Sequence, residues 1–143
     1  MKFVKITIKS SSGDDEISDK LTVVAYGQMA LRGGKYYVLY DETSLTGMEG
    51  TSTTIKWDEQ SVMVLRKGTY SSRQEYREGC SCEGVYTTPY LAVTIKSTTK
   101  NVKVEKVNKI WYLHIEYDME IAQVANGNVT LDIEIEEDVS SEH

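Results

Sequence analysis

The chain has 143 residues, of which 40% are apolar, and its 16 basic and 22 acidic side chains give a formal net charge of −6. This length predicts one domain, residues 1–143, with a single core that buries roughly 70% of the unfolded chain's surface. The acidic balance argues against a general nucleic-acid binder. No run approaches the roughly 20 apolar residues that a membrane-spanning helix needs, so no membrane partner is expected.

The strands are predicted from period-two alternation of β-branched and aromatic residues, which recurs along the chain without the three-and-four spacing of a helix. The alternation predicts strands at about residues 2–9, 20–31, 35–43, 50–57, 62–67, 72–78, 84–88, 90–97, 101–107, 109–121 and 129–136.

Glycine and proline mark the predicted turns and bends between these strands. Gly33-Gly34 and Asn126-Gly127 predict tight hairpins, because both sequences accept the positive φ of such turns. Pro89 is expected to end a strand, since it has no N–H for the ladder. Gly27, in the middle of a strand, indicates a bend or bulge that would help the sheet to coil.

Ten or eleven short strands with close turns are typical of a sandwich or a closed barrel, and periodicity alone does not choose between them. Short hairpins favour an up-and-down meander, and closure removes the exposed strand edges. We therefore predict an all-β fold: a single, mostly antiparallel up-and-down β-barrel of about ten strands.

One segment also supports a family resemblance. Tyr40-Asp-Glu-Thr-Ser-Leu-Thr-Gly-Met-Glu-Gly-Thr-Ser-Thr-Thr-Ile-Lys56 resembles the most distinctive stretch of the YwiB-like proteins. Further similarities are Val64-Leu-Arg-Lys-Gly68, Glu78-Gly79 and Tyr86-Thr-Thr-Pro-Tyr90. The chain departs from the family at Leu91, where glycine is expected, and at Cys80 and Cys82.

The resemblance implies the fold of those small bacterial proteins of unknown function, a calycin-like, lipocalin-type β-barrel. It implies no activity, because a shared fold does not determine a shared function.

The compartment and cofactors follow from the chain start and the cysteines. Residues 1–9 contain lysine every few positions and lack the apolar segment of a signal peptide, so we expect a cytoplasmic protein. A disulfide between Cys80 and Cys82 would close a small strained ring, and two sulfurs do not complete a zinc site. Free thiols and no cofactor are expected. The acidic residues 14–16 and 134–138 more often solubilise a protein than bind calcium.

A local basic strip is formed by Lys96, Lys100, Lys103, Lys106 and Lys109. No aromatic residues interleave these lysines in a stacking pattern, so the strip predicts a solvated strand face rather than a nucleic-acid site.

Strand parity brings ionisable residues onto inward faces, near strand ends that belong to the same barrel mouth. A buried charge must be paired, so Arg66 is expected to be clamped by Glu42 or Glu49. In one interpretation these residues line a ligand pocket with three tyrosines, and the candidate ligand-binding residues are Tyr40, Glu42, Glu49, Arg66, Tyr76 and Tyr86. In the other, Glu42, Glu49 and Arg66 form a structural network at the turn of Gly47 and Gly50.

Two functions therefore stay open. The first is binding of a small, partly apolar ligand at one end of the barrel. The alternative is a non-enzymatic protein–protein interaction or structural module with a filled interior, and a homodimer is compatible with either. Catalysis has little support: His114 is expected to be an exposed strand residue, and no catalytic residues are predicted.

Overall fold

The computed structural model describes residues 2–12, 19–44 and 46–137. They form ten strands: β1 (Lys2–Ser12), β2 (Asp19–Arg32), β3 (Lys35–Asp41), β4 (Thr51–Trp57), β5 (Ser61–Gly68), β6 (Ser72–Arg77), β7 (Ser81–Thr87), β8 (Ala92–Val107), β9 (Ile110–Ile121) and β10 (Val124–Glu137). The predicted all-β class and the count of about ten strands are confirmed. No helix of the described residues is long and apolar enough to cross a membrane.

All ten strands belong to one antiparallel sheet, in the order β6-β5-β4-β3-β2-β1-β10-β9-β8-β7. Each pair of consecutive strands except β6 and β7 therefore forms a ladder, as predicted for an up-and-down meander, and the first strand pairs with the last. The β1–β10 ladder runs from the pair Val4–Glu137 to the pair Ser12–Val129. It joins the six strands β1–β6 to the four strands β7–β10.

The barrel closes at a seam between β6 and the strands β7 and β8. Ser71 and Thr87 exchange two backbone hydrogen bonds of 2.9 and 2.8 Å at one end of this seam. Inside the barrel, the Ser97 hydroxyl donates to Gln74 Oε1 over 2.8 Å. A Cβ atom added to Gly84 would lie 2.8 Å from the carbonyl oxygen of Arg73. The seam thus depends on a few polar contacts and on one position without a side chain.

The two ends of the barrel carry different connections. We call the end with residues 42–50, 69–71, 88–91 and 122–123 the loop end, and the opposite end the tryptophan end. At the tryptophan end, the Trp57 ring lies 5.7 Å from the Tyr36 ring and 5.5 Å from the Trp111 ring, measured between centroids. Apolar side chains fill the middle of the barrel, and the largest that are fully buried are Trp57, Ile6, Ile55, Leu113, Ile115, Ile133 and Ile135.

The two strands predicted at residues 90–97 and 101–107 are one continuous strand, β8, so that part of the prediction is wrong. The pairing of β8 with β9 shifts register between Thr99 and Asn101, which leaves Lys100 as the extra residue of a β-bulge. The polar sequence around Lys100 interrupts the alternation of apolar and polar residues but does not end the strand. The bulge leaves one residue unpaired, and the β8–β9 ladder continues beyond it.

The hairpin predicted at Asn126-Gly127 is also wrong. The turn lies at Ala122 and Gln123, whose φ angles are 51° and 68°, and Asn126 is the extra residue of a bulge within β10.

Side-chain parity explains why the tight turn lies elsewhere. A two-residue turn at Asn126-Gly127 would pair Ile133 with Glu120, placing an inward apolar residue opposite an outward acidic one. The observed turn and bulge together pair Ile133 with Leu113 instead.

Of the bend or bulge predicted at Gly27, a bulge against β1 is absent, since the register of β2 against β1 is continuous through this residue. Its role is close approach: a Cβ on Gly27 would lie 2.4 Å from the carbonyl oxygen of Leu39. Pairing of β2 with β3 spans only Gln28–Leu39 to Arg32–Lys35, so the two strands separate immediately beyond Gly27.

Glu137, the last described residue, joins four strands at the tryptophan end. Its carboxylate accepts hydrogen bonds from Lys106 Nζ (2.8 Å), Lys2 Nζ (2.9 Å) and Trp111 Nε1 (3.0 Å). Burial opposes the charged form, but the hydrogen bonds and charges of Lys106 and Lys2 outweigh it, so the pKa of Glu137 is lowered. The ion cluster therefore stabilises the folded state while Glu137 is ionised.

Replacing Glu137 by glutamine (E137Q) retains an acceptor for Trp111 and removes the charge that faces both lysines. We expect the free energy of unfolding at pH 7 to fall by about 1–3 kcal/mol. The folded pKa lies below the unfolded one, so this advantage of the wild type is complete above the unfolded pKa and disappears as pH falls through the folded value. Urea denaturation from neutral to acid pH measures it, with the exposed E136Q as control. A difference independent of pH would contradict the assignment.

Substituting alanine for Gly27 (G27A) introduces the Cβ that meets the Leu39 carbonyl. The backbone must move, and we expect a loss of about 1–3 kcal/mol in the free energy of unfolding. The exposed neighbour Gln28 provides the control, because Q28A should stay within about 0.5 kcal/mol of the wild type. Equal denaturation midpoints for the two variants would show that the strands do not need to approach so closely.

Candidate functional site

A cavity of about 240 Å³ occupies the loop end of the barrel. Its wall comes from both halves of the sheet, because β1, β2, β3, β5, β6, β9 and β10 all contribute to it. The apolar part of the wall consists of Ile8, Leu21, Val23, Val64, Val129 and Leu131, and the polar part of Ser10, Tyr40, Glu42, Arg66, Tyr76 and Tyr117. Thr46 and Met48, from the connection between β3 and β4, complete the lining. The barrel is therefore filled in its middle and hollow at this end.

The mouth of the cavity lies where β2 and β3 separate. Among the described residues, positions 20–27 of β2 have no strand partner on the side that faces β3. Leu21 lines the cavity and is nevertheless 56% exposed. On the other side of the gap lie Thr46 and Met48, both half-buried. The close approach of strands at Gly27 thus ends where the opening begins.

Arg66 projects into this cavity from β5, where it pairs with Thr53 on one side and with Ser72 on the other. Its Nε atom is buried and has no hydrogen-bond partner in the described part of the chain. No ion pair within 4 Å joins Arg66 to Glu42 or Glu49 among the described residues. The expected clamp is therefore absent, and the cavity contains a guanidinium group that the protein does not neutralise by contact.

Glu42 lies two residues after Tyr40 on the same face and is only 8% exposed. The backbone N–H of Glu42 donates to the Thr51 carbonyl over 2.8 Å, which holds the residue against the start of β4. Its Oε2 accepts a hydrogen bond from the Thr53 hydroxyl over 3.1 Å. This bond replaces the predicted pairing with Arg66, because Thr53 lies between the two residues on the neighbouring strand.

Three tyrosines complete the polar wall, and burial is the first cause of a raised pKa in each. Burial and the nearby charge of Glu42 raise the pKa of Tyr40 to about 12, against an opposing effect of Arg66. Burial and the neighbouring Tyr117 raise the pKa of Tyr76 well above its usual value. Burial raises the pKa of Tyr117, whose ring centroid lies 4.7 Å from that of Tyr76. All three hydroxyls are neutral at pH 7, so they do not compensate the charge of Arg66.

The six candidate site residues thus separate into two groups. Tyr40, Glu42, Arg66 and Tyr76 lie together in the cavity wall. Glu49 is exposed in the turn before β4, and Tyr86 is not part of the described wall. Tyr86 lies beside it: its hydroxyl is 3.9 Å from the sulfur of Met48, and its ring centroid is 6.3 Å from that of Tyr70. The alternation of inward and outward side chains does not extend to Glu49, because β4 begins only at Thr51.

Sequence reasoning missed Tyr117 and the apolar residues of β1, β2 and β10 as site residues. Tyr117 alternates along β9 with the buried Leu113 and Ile115, but it was not among the candidate site residues. The available signal was its place in the alternation of β9. An inward tyrosine brings a hydroxyl group into the interior, whereas Leu113 and Ile115 bring only apolar atoms. Its neighbours in space, Tyr76 and Val129, come from strands whose relative positions depend on closure of the barrel.

A broader depression of about 840 Å³ lies at the tryptophan end, between the β2–β3, β4–β5 and β8–β9 hairpins. Trp57, Tyr36 and Trp111 form its floor, and Lys106 lies 5.3 Å above the centre of the Trp111 ring. The aromatic cluster closes the barrel here, so this depression does not reach the cavity wall.

The other chemical groups are accounted for by their neighbours. Cys80 and Cys82 are free, as predicted. His114 contacts Asp132 and is half-buried on the outer face. The described residues contain no group of three or more His, Cys, Asp or Glu side chains that could hold a metal ion. Residues 14–16 and 138 of the acidic runs lie outside the described residues.

Three lysines of the basic strip, all on β8, pair with acidic residues of β9 and β10. Lys96 lies 3.8 Å from Glu120, Lys100 lies 3.3 Å from Asp118, and Lys106 lies 2.8 Å from Glu137. The pairs of Lys96 and Lys100 are those expected of a solvated strand face, whereas Lys106 contacts the buried Glu137.

Fold and site together define a class of protein: an up-and-down β-barrel of ten strands, filled at one end and hollow at the other. The family model described as "Domain of unknown function (DUF1934)" matches residues 4–133. The chain therefore belongs to this family.

Among solved structures, the crystal structure of the ywiB protein from Bacillus subtilis is similar, with a TM-score of 0.82 over 96% of this chain and 93% of that chain. The resemblance to YwiB-like proteins is thus confirmed. The two sequences are 21% identical, so this likeness shows the fold alone. No curated protein matches the chain.

Proposed function

We propose that the protein binds one small, partly apolar molecule in the cavity at the loop end. The observation that carries this proposal is the buried Arg66 Nε, which has no hydrogen-bond partner among the described residues, in a partly apolar cavity of about 240 Å³. Ligand sites combine such apolar walls with a few polar groups that fix orientation. The volume lies just below the range of about 300–1,000 Å³ that accommodates drug-sized molecules, so the ligand is smaller than those.

The energetic argument rests on the charges in the wall. A guanidinium group that is taken partly out of water without a partner raises the free energy of the folded protein. A bound molecule that contacts Arg66 would recover that cost and would be retained for this reason. The gap between β2 and β3 supplies an entrance, and the apolar wall provides the contact area.

Native mass spectrometry of freshly purified protein tests the proposal, with a pair of adjacent variants as its core. Val23 lines the cavity, whereas Val24 is exposed on the outer face of the same strand. V23W should fill the cavity and abolish binding, while V24W should leave it unchanged. We expect a small molecule to dissociate from the wild type and from V24W but not from V23W.

The outcomes that oppose this proposal are equally defined. A wild-type protein without any bound molecule would argue against it, as would a V23W protein that retains the same mass. Circular dichroism of both tryptophan variants establishes that each has the β-rich fold before the masses are compared.

The second candidate function, a protein–protein interaction module, is favoured by one separate observation. The outer face of β1–β3 exposes Phe3, Val24, Tyr26 and Leu39 close together, next to the unpaired stretch of β2. An open strand edge beside apolar side chains is a template for pairing with another chain. Two copies related by a two-fold axis could join these edges, which would give a homodimer.

Sedimentation equilibrium tests this second candidate. Tyr26 is 66% exposed at the centre of the outer face, whereas Tyr90 is 91% exposed near Pro89, far along the sheet. If the edges pair, Y26E should shift the protein from dimer to monomer, and Y90E should not. A wild-type protein that sediments as a monomer at high concentration would exclude the homodimer.

A further inference from the structure

The charges of the cavity point to the chemical class of its ligand. We propose that it is a small zwitterion with an apolar body, an amino-acid-like molecule whose carboxylate contacts Arg66 and whose ammonium group contacts Glu42. This inference rests on the proposed function, since it names the ligand of that same cavity.

The anionic end of the ligand follows from Arg66. Its guanidinium group presents several N–H donors in a fixed planar arrangement that matches a carboxylate with two parallel hydrogen bonds. The buried Nε has no protein acceptor among the described residues. The nearby hydroxyls of Tyr40, Tyr76 and Tyr117 remain protonated at pH 7 and therefore supply no negative charge.

The cationic end follows from Glu42. The residue is buried, and its one side-chain hydrogen bond in the described structure comes from the neutral Thr53 hydroxyl. No Lys, Arg or His nitrogen of the described residues lies within 4 Å of its carboxylate. A carboxylate in this position is stabilised by a cation, and an ammonium group supplies both the charge and up to three donors.

The two charges belong to one site because they act on the same side chain. Glu42 and Arg66 shift the pKa of Tyr40 in opposite directions, which places both within electrostatic reach of its hydroxyl. Both side chains line the same cavity, and no ion pair within 4 Å joins them. A molecule with one charge would satisfy one residue and be repelled by the other in a medium of low dielectric constant. A zwitterion satisfies both.

The apolar body follows from the rest of the wall. Ile8, Val23, Val64, Val129 and Leu131 face the same space as the charged pair. Each methylene group of the ligand that leaves water for this wall strengthens binding. The class is therefore a small amino acid with a branched or unbranched aliphatic side chain, rather than a polar one.

Three probes that differ only in charge test this inference by isothermal titration calorimetry. L-Leucine carries both charges, 4-methylpentanoate lacks the ammonium group, and 3-methylbutylamine lacks the carboxylate. We expect the wild type to bind L-leucine at least about tenfold more tightly than either of the others, which corresponds to about 1.4 kcal/mol. Equal affinity for all three, or preference for a singly charged probe, would overturn the inference.

Charge-neutral variants should then reverse the preference in a predictable direction. E42Q removes the acceptor of the ammonium group and should favour 4-methylpentanoate, whereas R66Q should favour 3-methylbutylamine. The exposed E49Q is the matched control and should bind the probes as the wild type does. Variants that weaken all three probes equally would overturn the inference. If R66Q does not fold, the three-probe comparison on the wild type still decides.

The two levels of the proposal fail separately. A co-purified molecule that V23W loses, together with no binding of the three probes, would overturn the zwitterion and leave the proposed function standing. If no molecule co-purifies and none of the three probes binds, both the zwitterion and the proposed function are overturned.

Discussion

The pairing of the first strand with the last is the constraint on which the whole barrel depends. Each hairpin of the meander can form locally, but only the β1–β10 ladder turns a six-stranded and a four-stranded sheet into one wall. It also places Ile8 beside Ile133 and Ser10 beside Leu131, so the cavity has its two-sided lining only after this ladder exists. Contacts so distant in sequence carry a large loop-closure entropy and slow the folding of such proteins.

Local patterns in the sequence were enough to predict the strands, the meander and the inward positions of Tyr40, Glu42, Arg66 and Tyr76. Side-chain parity works there because each strand is short and flanked by a turn. It failed at Lys100 and Asn126, where one extra residue changes the parity and the polar sequence around it was interpreted as a connection between strands. It also failed for the partner of Arg66, since whether a buried charge is paired depends on distances across several strands.

The interior combines two arrangements that were expected to be alternatives, a filled barrel and a barrel with a pocket at one end. At the tryptophan end, Tyr36, Trp57 and Trp111 and the ion cluster around Glu137 occupy the space. At the loop end, branched aliphatic residues such as Val23 and Val129 are too short to meet across the barrel. The same chain therefore combines a packed core, which provides stability, with an unfilled end, where polar groups can serve another purpose.

The contact between Lys2 and Glu137 has a consequence for the order of the chain itself. The first and last described residues are joined by a hydrogen bond of 2.9 Å, while the seam between β6 and β7 lies in the middle of the sequence. A short peptide that links Lys2 to Glu137, with a cut at Gly79, would keep all nine ladders of the sheet intact. Such a circular permutant would start and finish at the weakest junction of the barrel, and its most distant strand pairing would become a local hairpin.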